Sequence, residues 1–391
     1  MSKIPLPEIK ENNEKDDILK FTLSNTNVSI ANALRRTIMA DLKTIVFDTT
    51  KDSNIKIYRN TTKFNNDILK QRLGCIPIHI NDITQNMDNL VMELNETNKT
   101  DNIRYITTQH FKIKNKETGK YLSDKDRDQI FPPTILKNKN ISKAENESYW
   151  TIFTRLMPKL TNEIPAQEIH LECEFSVKSA KDNGMFNVAC TCGYGNTEDK
   201  IKQREAWKDI ESKYKKEGME EGNIEYKKQN WYNHDAKRIY KKDSFNFILE
   251  SVGVYSNVEL ISNAVDVIVK KLKNIYSKVE QDGIEINPSD NTIDDCYDII
   301  LENHDYTIGK VIEYVLHYQY LDTRKAQLSY AGFIKKHPHD NYSVVRLAFK
   351  SNHSNENEEV NMKNALILVQ NACKICIGVF NKIGEHFNAN K

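Results

Sequence analysis

The sequence lacks net charge, and this absence limits the partners that it can bind directly. Its 56 lysine and arginine residues nearly balance its 55 aspartate and glutamate residues, so the formal charge at pH 7 is +1. A chain of this kind has no overall positive field to attract the phosphate backbone of a nucleic acid. We therefore do not expect direct DNA or RNA binding to be its main task.

Long apolar runs are missing as well. A membrane-spanning helix needs about 20 predominantly apolar residues in succession, and we expect no run to approach that length. Residues 1–17 carry charges and two prolines, but no apolar segment typical of a signal peptide. These absences predict a chain that makes no membrane contact and is not secreted.

Cysteines are few, and their pattern excludes a disulfide framework. The seven cysteines are scattered and odd in number, which is typical of reduced thiols in an intracellular protein. Cys190 and Cys192 are spaced too closely for a zinc pair. Cys373 and Cys376 have the spacing of a metal or redox pair, but both fall on an apolar helix face, where cysteine acts as a small hydrophobic residue. We expect neither disulfides nor a zinc site.

Sequence signatures of common enzymes are also absent. The chain has no glycine-rich phosphate loop, no His-Glu-x-x-His and no serine nucleophile elbow. Asp294, Asp295 and Asp298 could bind magnesium, and the loop at His337 could bind a metal. An acidic linker and a solvated turn explain these residues better, so the sequence predicts no catalytic residue, no cofactor and no metal site.

A short motif, by contrast, is present twice. The first copy is Leu23, Asn25, Asn27, Ser29, Ile30 and Ala31, and the second is Leu301, Asn303, Asp305, Thr307, Ile308 and Gly309. Each copy reads as the end of a strand, a polar cap and the first turn of an amphipathic helix. Two versions of one folding unit on one polypeptide can form an internal pseudo-dimer.

Four helices are predicted to pair the two halves, because their apolar residues recur at spacings of three and four. An exposed apolar face of that length would aggregate. The predicted pairing residues are Val28, Ala31, Leu34 and Ile38 in the first helix; Val258, Ile261, Val265, Ile268 and Leu272 in the second; Ile308, Gly309, Ile312 and Val315 in the third; and Leu366, Val369, Cys373, Cys376 and Phe380 in the fourth.

Composition divides the chain into further segments. Residues 80–167 are polar and read as an inserted domain with short strands. Residues 196–242 form a highly charged insertion that is predicted to be helical, and residues 277–292 read as a linker. The remaining predicted domains are the first dimerisation domain, formed by residues 1–79 and 168–276, and the second, formed by residues 293–391.

Several motifs, taken in order, resemble the assembly subunits of multisubunit DNA-directed RNA polymerases. The segments Ala31-Asn32-Ala33-Leu34-Arg35-Arg36 and Gln71-Arg72-Leu73-Gly74-Cys75-Ile76-Pro77 are similar to the third-largest subunit of eukaryotic polymerase II and to its archaeal counterpart. The segments Asp305-Tyr306-Thr307-Ile308-Gly309, Tyr330-Ala331-Gly332-Phe333 and His337-Pro338 are similar to its partner, the small eleventh subunit.

The resemblance implies an α+β fold, in which two alpha-subunit-type dimerisation half-units form an intramolecular pseudo-dimer with an inserted mainly-β domain. It implies a non-catalytic platform that assembles the largest and second-largest polymerase subunits and a small tenth-subunit-like protein. The residues expected to contact a large subunit are Asn32, Arg35, Arg36 and Arg72. DNA and RNA would be reached only through the complex, and no homodimer is expected.

Fusion of the two partners suggests a large cytoplasmic DNA virus, with the chain located in the host cytoplasm, the viral factory and the virion. Two departures from the family pattern stand out. Members often carry a four-cysteine metal cluster in the inserted domain, but residues 76–172 contain no cysteine. Tyr306 stands where the small partner tends to have histidine.

Two other functional classes remain open from the residues. One is a free-standing interaction scaffold with duplicated modules and no polymerase. The other is an enzyme with a pocket between the halves, for which Asp294, Asp295 and His337 would be the candidate residues.

Overall fold

The computed structural model describes residues 4–85, 87–136, 147–159, 161, 163–323, 326–354 and 357–388. The helices in these ranges are α1 (Val28–Ala40), α2 (Asn66–Gly74), α3 (Asp124–Ile130), α4 (Lys200–Lys216), α5 (Glu221–Asn233), α6 (Asn257–Glu280), α7 (Tyr306–Leu316) and α8 (Glu358–Asn388). The strands are β1 (Glu8–Lys15), β2 (Ile18–Ser24), β3 (Lys43–Val46), β4 (Ile55–Asn60), β5 (Leu90–Thr97), β6 (Arg104–Thr107), β7 (Lys112–Asn115), β8 (Thr134–Leu136), β9 (Glu147–Tyr149), β10 (Ile152–Leu156), β11 (Glu168–Glu174), β12 (Ser176–Ser179), β13 (Ala189–Glu198), β14 (Tyr240–Ser251), β15 (Ile286–Pro288), β16 (Cys296–Glu302), β17 (Leu328–Ile334) and β18 (Tyr342–Phe349).

The chain divides into two compact units, and each contains both helices and sheet. The first unit comprises Met1–Ile38, Thr191–Glu250 and Asn257–Lys391, and the second comprises Met39–Cys190 and Ser251–Ser256. Both copies of the repeated motif therefore belong to the first unit. The α+β class expected from the sequence is confirmed.

Two four-stranded antiparallel sheets form the strand layers of the first unit. Their strand orders are β1-β2-β14-β13 and β15-β16-β18-β17. In the first of these sheets Phe21 pairs with Phe247 across β2 and β14, and their stacked rings are 4.9 Å apart. The ring of Phe387, at the end of α8, meets Phe21 edge to face at 5.2 Å. Aromatic packing of this kind adds about 0.5–1.5 kcal/mol beyond the area that it buries.

The polar segment at the start of the chain contains a strand that the sequence pattern did not predict. β1 pairs antiparallel with β2, from Glu8 opposite Ser24 to Lys15 opposite Ile18. Nearly all of its side chains are exposed. An edge strand rich in charge shows no alternation of apolar and polar residues, and such charge protects a sheet edge against further pairing.

The two copies of the repeated motif share one local conformation. Asn25 and Asn303 both adopt a left-handed backbone, with φ of 56° and 58°, which asparagine tolerates better than most residues. In each copy the side chain two residues after this asparagine caps the helix: Asn27 Oδ1 accepts from Ser29 N at 2.8 Å, and Asp305 Oδ1 accepts from Thr307 N at 2.9 Å. The same strand, turn and cap therefore begin α1 and α7.

The long helices α6 and α8 pack side by side in antiparallel orientation. Ser262 donates to Asn388 Oδ1 at 3.2 Å, and a Cβ atom on Gly384 would lie 3.3 Å from Val265 Cγ1. The α7 helix joins them, since the Cys376 thiol lies 3.8 Å from the Val311 carbonyl oxygen. Full burial of each large apolar side chain along this seam contributes about 1.5–3 kcal/mol before conformational entropy is subtracted.

The expectation that no apolar run approaches the length of a membrane span is wrong for α8. This helix, with 31 residues, is long and apolar enough to cross a membrane by length and composition. Half of its most apolar window is buried against the rest of the protein. Val369, Cys373 and Phe380 are fully buried, as in the core helix of a folded unit.

The second unit is built around a sheet with strand order β4-β11-β5-β7. Its core includes a group of phenylalanines, in which Phe47 lies 5.1 Å from Phe175 and 6.4 Å from Phe111 between ring centroids. The sheet extends beyond the predicted inserted domain of residues 80–167. β4 and β11 lie outside that range, yet β11 pairs with both β4 and β5, so residues on either side of the insertion belong to the same sheet.

The charged insertion, the predicted linker and the third pairing helix agree with their predictions to different degrees. The charged insertion is helical, as predicted, and forms α4 and α5 with the Trp207 and Trp231 rings 5.6 Å apart. The predicted linker contains more regular structure than expected, because α6 continues to Glu280 and β15 pairs with β16. The third predicted pairing helix is α7, which ends at Leu316, and a π-helical turn follows over His317–Leu321.

Candidate assembly surface

The first turns of α1 position the residues that are expected to contact a large subunit. Ala31, Leu34 and Ile38 are almost completely buried and hold one face of the helix against the core. Asn32 and Arg35 lie three residues apart and therefore share another face. Arg35 Nε donates to Asn32 Oδ1 at 3.3 Å, and both residues are half-buried.

Arg35 also lies near two polar groups of β13. Burial raises the pKa of the Cys192 thiol to about 12, and the positive charge of Arg35 opposes this rise only in part. Burial likewise raises the pKa of Tyr194, against the opposing effects of the Arg35 charge and a hydrogen bond with Asn32. Asn32, Arg35 and Tyr194 thus form one polar cluster, which we call the α1 polar cluster.

Arg36 points elsewhere and contacts the second copy of the repeated motif. Its Nε donates to Thr307 Oγ1 at 2.9 Å, and Nη2 lies 3.6 Å from Asp305 Oδ2. This contact joins α1 to the N-terminus of α7. No local sequence pattern predicts this contact, because the two positions are far apart along the chain and each reads separately as a solvated polar residue.

Arg72 lies in the second unit and binds backbone groups there. Its Nε donates to the Phe153 carbonyl oxygen at 2.7 Å, and Nη2 donates to the Ile152 carbonyl oxygen at 3.0 Å. Its guanidinium also lies 5.4 Å from the centroid of the Phe64 ring. These contacts give Arg72 a role in holding α2 against β10, and its predicted large-subunit contact stays a prediction.

Most of the residues predicted to pair the halves are buried in the first unit. Val28 differs, because it is 45% exposed, and Ile30 and Ala33 are buried on α1 in its place. Val258 and Leu366 are half-buried. The remaining predicted residues with buried side chains or backbone are Ala31, Leu34, Ile38, Ile261, Val265, Ile268, Leu272, Ile308, Gly309, Ile312, Val315, Val369, Cys373, Cys376 and Phe380.

Several of the residues considered for metal binding or catalysis have structural contacts. Burial raises the pKa of Cys373 to about 12 and also raises that of Cys376. Asp298 binds the Arg346 guanidinium through both carboxylate oxygens, at 2.6 and 2.7 Å. His337 begins an exposed turn, in which its backbone N–H donates to Asp340 Oδ2 at 3.0 Å. Within the described ranges, no three histidine, cysteine or acidic residues come together in a group that could hold a metal.

Relatives of this chain include polymerase subunits. It is 24% identical over 319 residues to subunit 3B of DNA-directed RNA polymerases IV and V of Arabidopsis thaliana, which covers 74% of this chain and 92% of the relative. Over 308 residues it is 22% identical to a conjugation stage-specific protein of Tetrahymena thermophila, covering 68% and 92%. A shorter stretch of 71 residues is 35% identical to subunit Rpo3 of the Pyrococcus furiosus RNA polymerase, covering 18% and 25%.

Family comparison agrees with these relatives and with the fold. Residues 20–272 match the model of the RNA polymerase Rpb3/Rpb11 dimerisation domain. This range contains α1, the α1 polar cluster, the second unit and most of α6. The chain therefore belongs to the Rpb3/Rpb11 dimerisation-domain family and carries an assembly domain like that of RNA polymerase subunit 3.

Proposed function

We propose that this chain is a non-catalytic assembly subunit of a DNA-directed RNA polymerase, in which a third-subunit-like part and an eleventh-subunit-like part pair within one polypeptide. The observation that carries the proposal is the packing of α6 against α8. One helix comes from the range that matches the family, and the other lies beyond residue 272. Their apolar faces cover each other in one compact unit.

The repeated motif supports the assignment of the second part. Its copies share a left-handed asparagine and a side-chain cap, as described above for Asn25 and Asn303. Residues 293–391 contain the second copy, three strands of a four-stranded sheet and α8, and so hold the same kinds of elements as the first part. A chain that contains both partners needs no separate small subunit to cover its apolar seam.

The platform is proposed to recruit the two large catalytic subunits and a small tenth-subunit-like protein. Arg35, as part of the α1 polar cluster, is the arginine that we carry forward for contact with the second-largest subunit. Its neighbour Arg36 and the more distant Arg72 are engaged within the chain. Fusion of two subunits further leads us to propose a large DNA virus as the source, with the protein in the host cytoplasm, the viral factory and the virion.

Co-purification tests this function directly. The tagged full chain is co-expressed with the two large subunits from the same source, and the recovered subunits are quantified. The wild-type chain should recover both, and Arg35→Glu should reduce recovery of the second-largest subunit several-fold. Arg204→Glu is the matched control, because Arg204 lies on the exposed face of α4 and its Nε donates to the Lys200 carbonyl oxygen of the same helix.

The outcomes separate the alternatives. Failure of the wild-type chain to recover either large subunit would favour a free-standing interaction scaffold and contradict the proposed function. Normal recovery with Arg35→Glu would show that the contact lies elsewhere on the platform. Equal losses with Arg35→Glu and Arg204→Glu would indicate a nonspecific effect of charge reversal.

A further inference from the structure

Arg36 contacts the acidic cap of α7, and this geometry carries an inference about how the halves select each other. Asp305 uses one carboxylate oxygen to cap Thr307 N and presents the other to Arg36 at 3.6 Å. Arg36 Nε also donates to the Thr307 hydroxyl at 2.9 Å. We propose that Arg36 is a specificity-determining residue, which favours pairing of the two unlike halves. The inference rests on the proposed function, since it concerns the pairing that builds the platform.

The position of the guanidinium makes the Asp305 carboxylate necessary. The N-terminus of a helix carries a partial positive charge from its unpaired N–H groups. A cation at this end is therefore unfavourable unless a negative group lies beside it. Asp305 supplies that group at the N-terminus of α7, so that Arg36 can approach Thr307.

The first copy of the motif lacks the corresponding charge. Its cap is Asn27, which can accept the Ser29 N–H but has no net charge. Counted from Leu23 and Leu301, the position equivalent to Arg36 in the second copy is Tyr314. Tyr314 and Asn27 line an open polar cleft of about 350 Å³. The arginine and the acidic cap thus belong to opposite halves.

Only unlike pairing satisfies both charged groups. Two first halves paired in the same geometry would place Arg36 against Asn27, with a cation at a helix N-terminus and no compensating carboxylate. Two second halves would place Asp305 beside Tyr314, which has no positive charge, and the lysine of that cleft, Lys310, is bound by Glu313 at 2.6 Å. Specificity of this kind comes from unfavourable contacts in the wrong pairs as well as a favourable contact in the right one.

A double-mutant cycle in the full chain tests the inference, because the effect of Arg36→Gln on stability should change sign when Asp305 is replaced. Urea unfolding midpoints are measured at low salt for the wild type, Arg36→Gln, Asp305→Asn and the double variant. Asp305→Asn should lower the midpoint, because Arg36 then faces the positive end of α7 alone. Adding Arg36→Gln to this variant should raise the midpoint again, although Arg36→Gln alone lowers that of the wild type.

Arg35→Gln is the control, because Arg35 occupies the adjacent position but belongs to the α1 polar cluster. It should shift the wild-type and Asp305→Asn midpoints by the same amount. The rescue by Arg36→Gln should also fade in 1 M salt, since the two side chains are 46% and 32% exposed and salt screens exposed charges.

The inference is overturned if Arg36→Gln lowers the midpoint equally in both backgrounds or leaves that of Asp305→Asn unchanged. It is also overturned if the rescue persists undiminished in 1 M salt, which would point to packing instead of charge. Co-purification of the large subunits remains a separate readout. If those subunits are recovered normally while the cycle shows no coupling, the inference about Arg36 fails and the proposed function stands.

Discussion

Gly309 and Phe333 approach so closely that no side chain fits between them. A Cβ atom built on Gly309 would overlap Cε2 of the Phe333 ring, well inside van der Waals contact. The glycine lies in the first turn of α7, and the phenylalanine lies in β17. The small residue in the second copy of the motif therefore lets α7 lie directly on the sheet.

Gly309→Ala should consequently destabilise the protein, although alanine is the better helix former. Overpacking of this kind costs about 1–3 kcal/mol, which exceeds the gain of about 1 kcal/mol from helix propensity. Urea unfolding of the full chain measures the change. Gly378→Ala in α8 is the matched control, because its added Cβ meets no atom within 4 Å, and it should stabilise the protein. A stabilised Gly309→Ala chain would contradict the contact.

Cysteine reactivity should report the burial of the helical seam. Cys75 and Cys190 are exposed, whereas Cys373 and Cys376 are buried and their thiol pKa values are raised by burial. Because the thiolate is the reactive form, iodoacetamide at pH 8 should modify Cys75 and Cys190 in the native protein and leave the pair in α8 intact. Peptide mass spectrometry identifies the modified sites. Rapid native modification of Cys376 would show that the seam opens, and modification of all sites in urea is the control.

The pair formed by Asp298 and Arg346 should make stability depend on acid pH. Burial raises the pKa of Asp298, but the hydrogen bonds and charge of Arg346 outweigh it, and the pKa is lower than usual. The stabilisation is therefore present above the unfolded-state pKa of about 4 and is lost as pH falls through the lower folded-state value. Asp298→Asn should cost about 1.5–3 kcal/mol at pH 7, and the difference from wild type should shrink below pH 4. A difference that is independent of pH would contradict the assignment.

The charged hairpin of α4 and α5 should be removable without unfolding the platform. Its ends are close, since Asp199 N donates to the Ile239 carbonyl oxygen at 3.1 Å, so a short turn can join β13 to β14. Replacing residues 200–238 with such a turn should leave a shortened chain that is monomeric by light scattering and unfolds cooperatively in urea. Aggregation of the shortened chain would show that Trp207 and its neighbours support the core.

Elements with a strong apolar period could be predicted from the sequence, and the polar contacts between elements could not. The spacing of Val265, Ile268 and Leu272 predicted α6, and the same rule predicted α8. β1 was missed because its charged residues give no alternating pattern. Val28 fits the apolar period of α1, but it is the first residue of that helix and remains exposed.

In the candidate assembly surface, too, contacts within one helix could be predicted from the sequence, whereas contacts between distant segments could not. The helix period places Asn32 and Arg35 on a common face, and the structure brings them into contact. From the sequence, Arg36 is predicted to contact a large subunit as Asn32 and Arg35 are. Its partner Asp305, however, lies in the other half of the chain. A contact between distant segments depends on tertiary packing, and no local spacing records it.

The molecular mass of the purified chain in solution tests the central claim most directly. If the two halves pair internally, α6 and α8 cover each other and light scattering should give a monomer of 45.4 kDa at micromolar concentration. Phe380→Asp, which places a charge in the seam, should raise the apparent mass and serves as a positive control. A stable wild-type species of twice the monomer mass would contradict the account, because it would mean that the seam is open to a second chain.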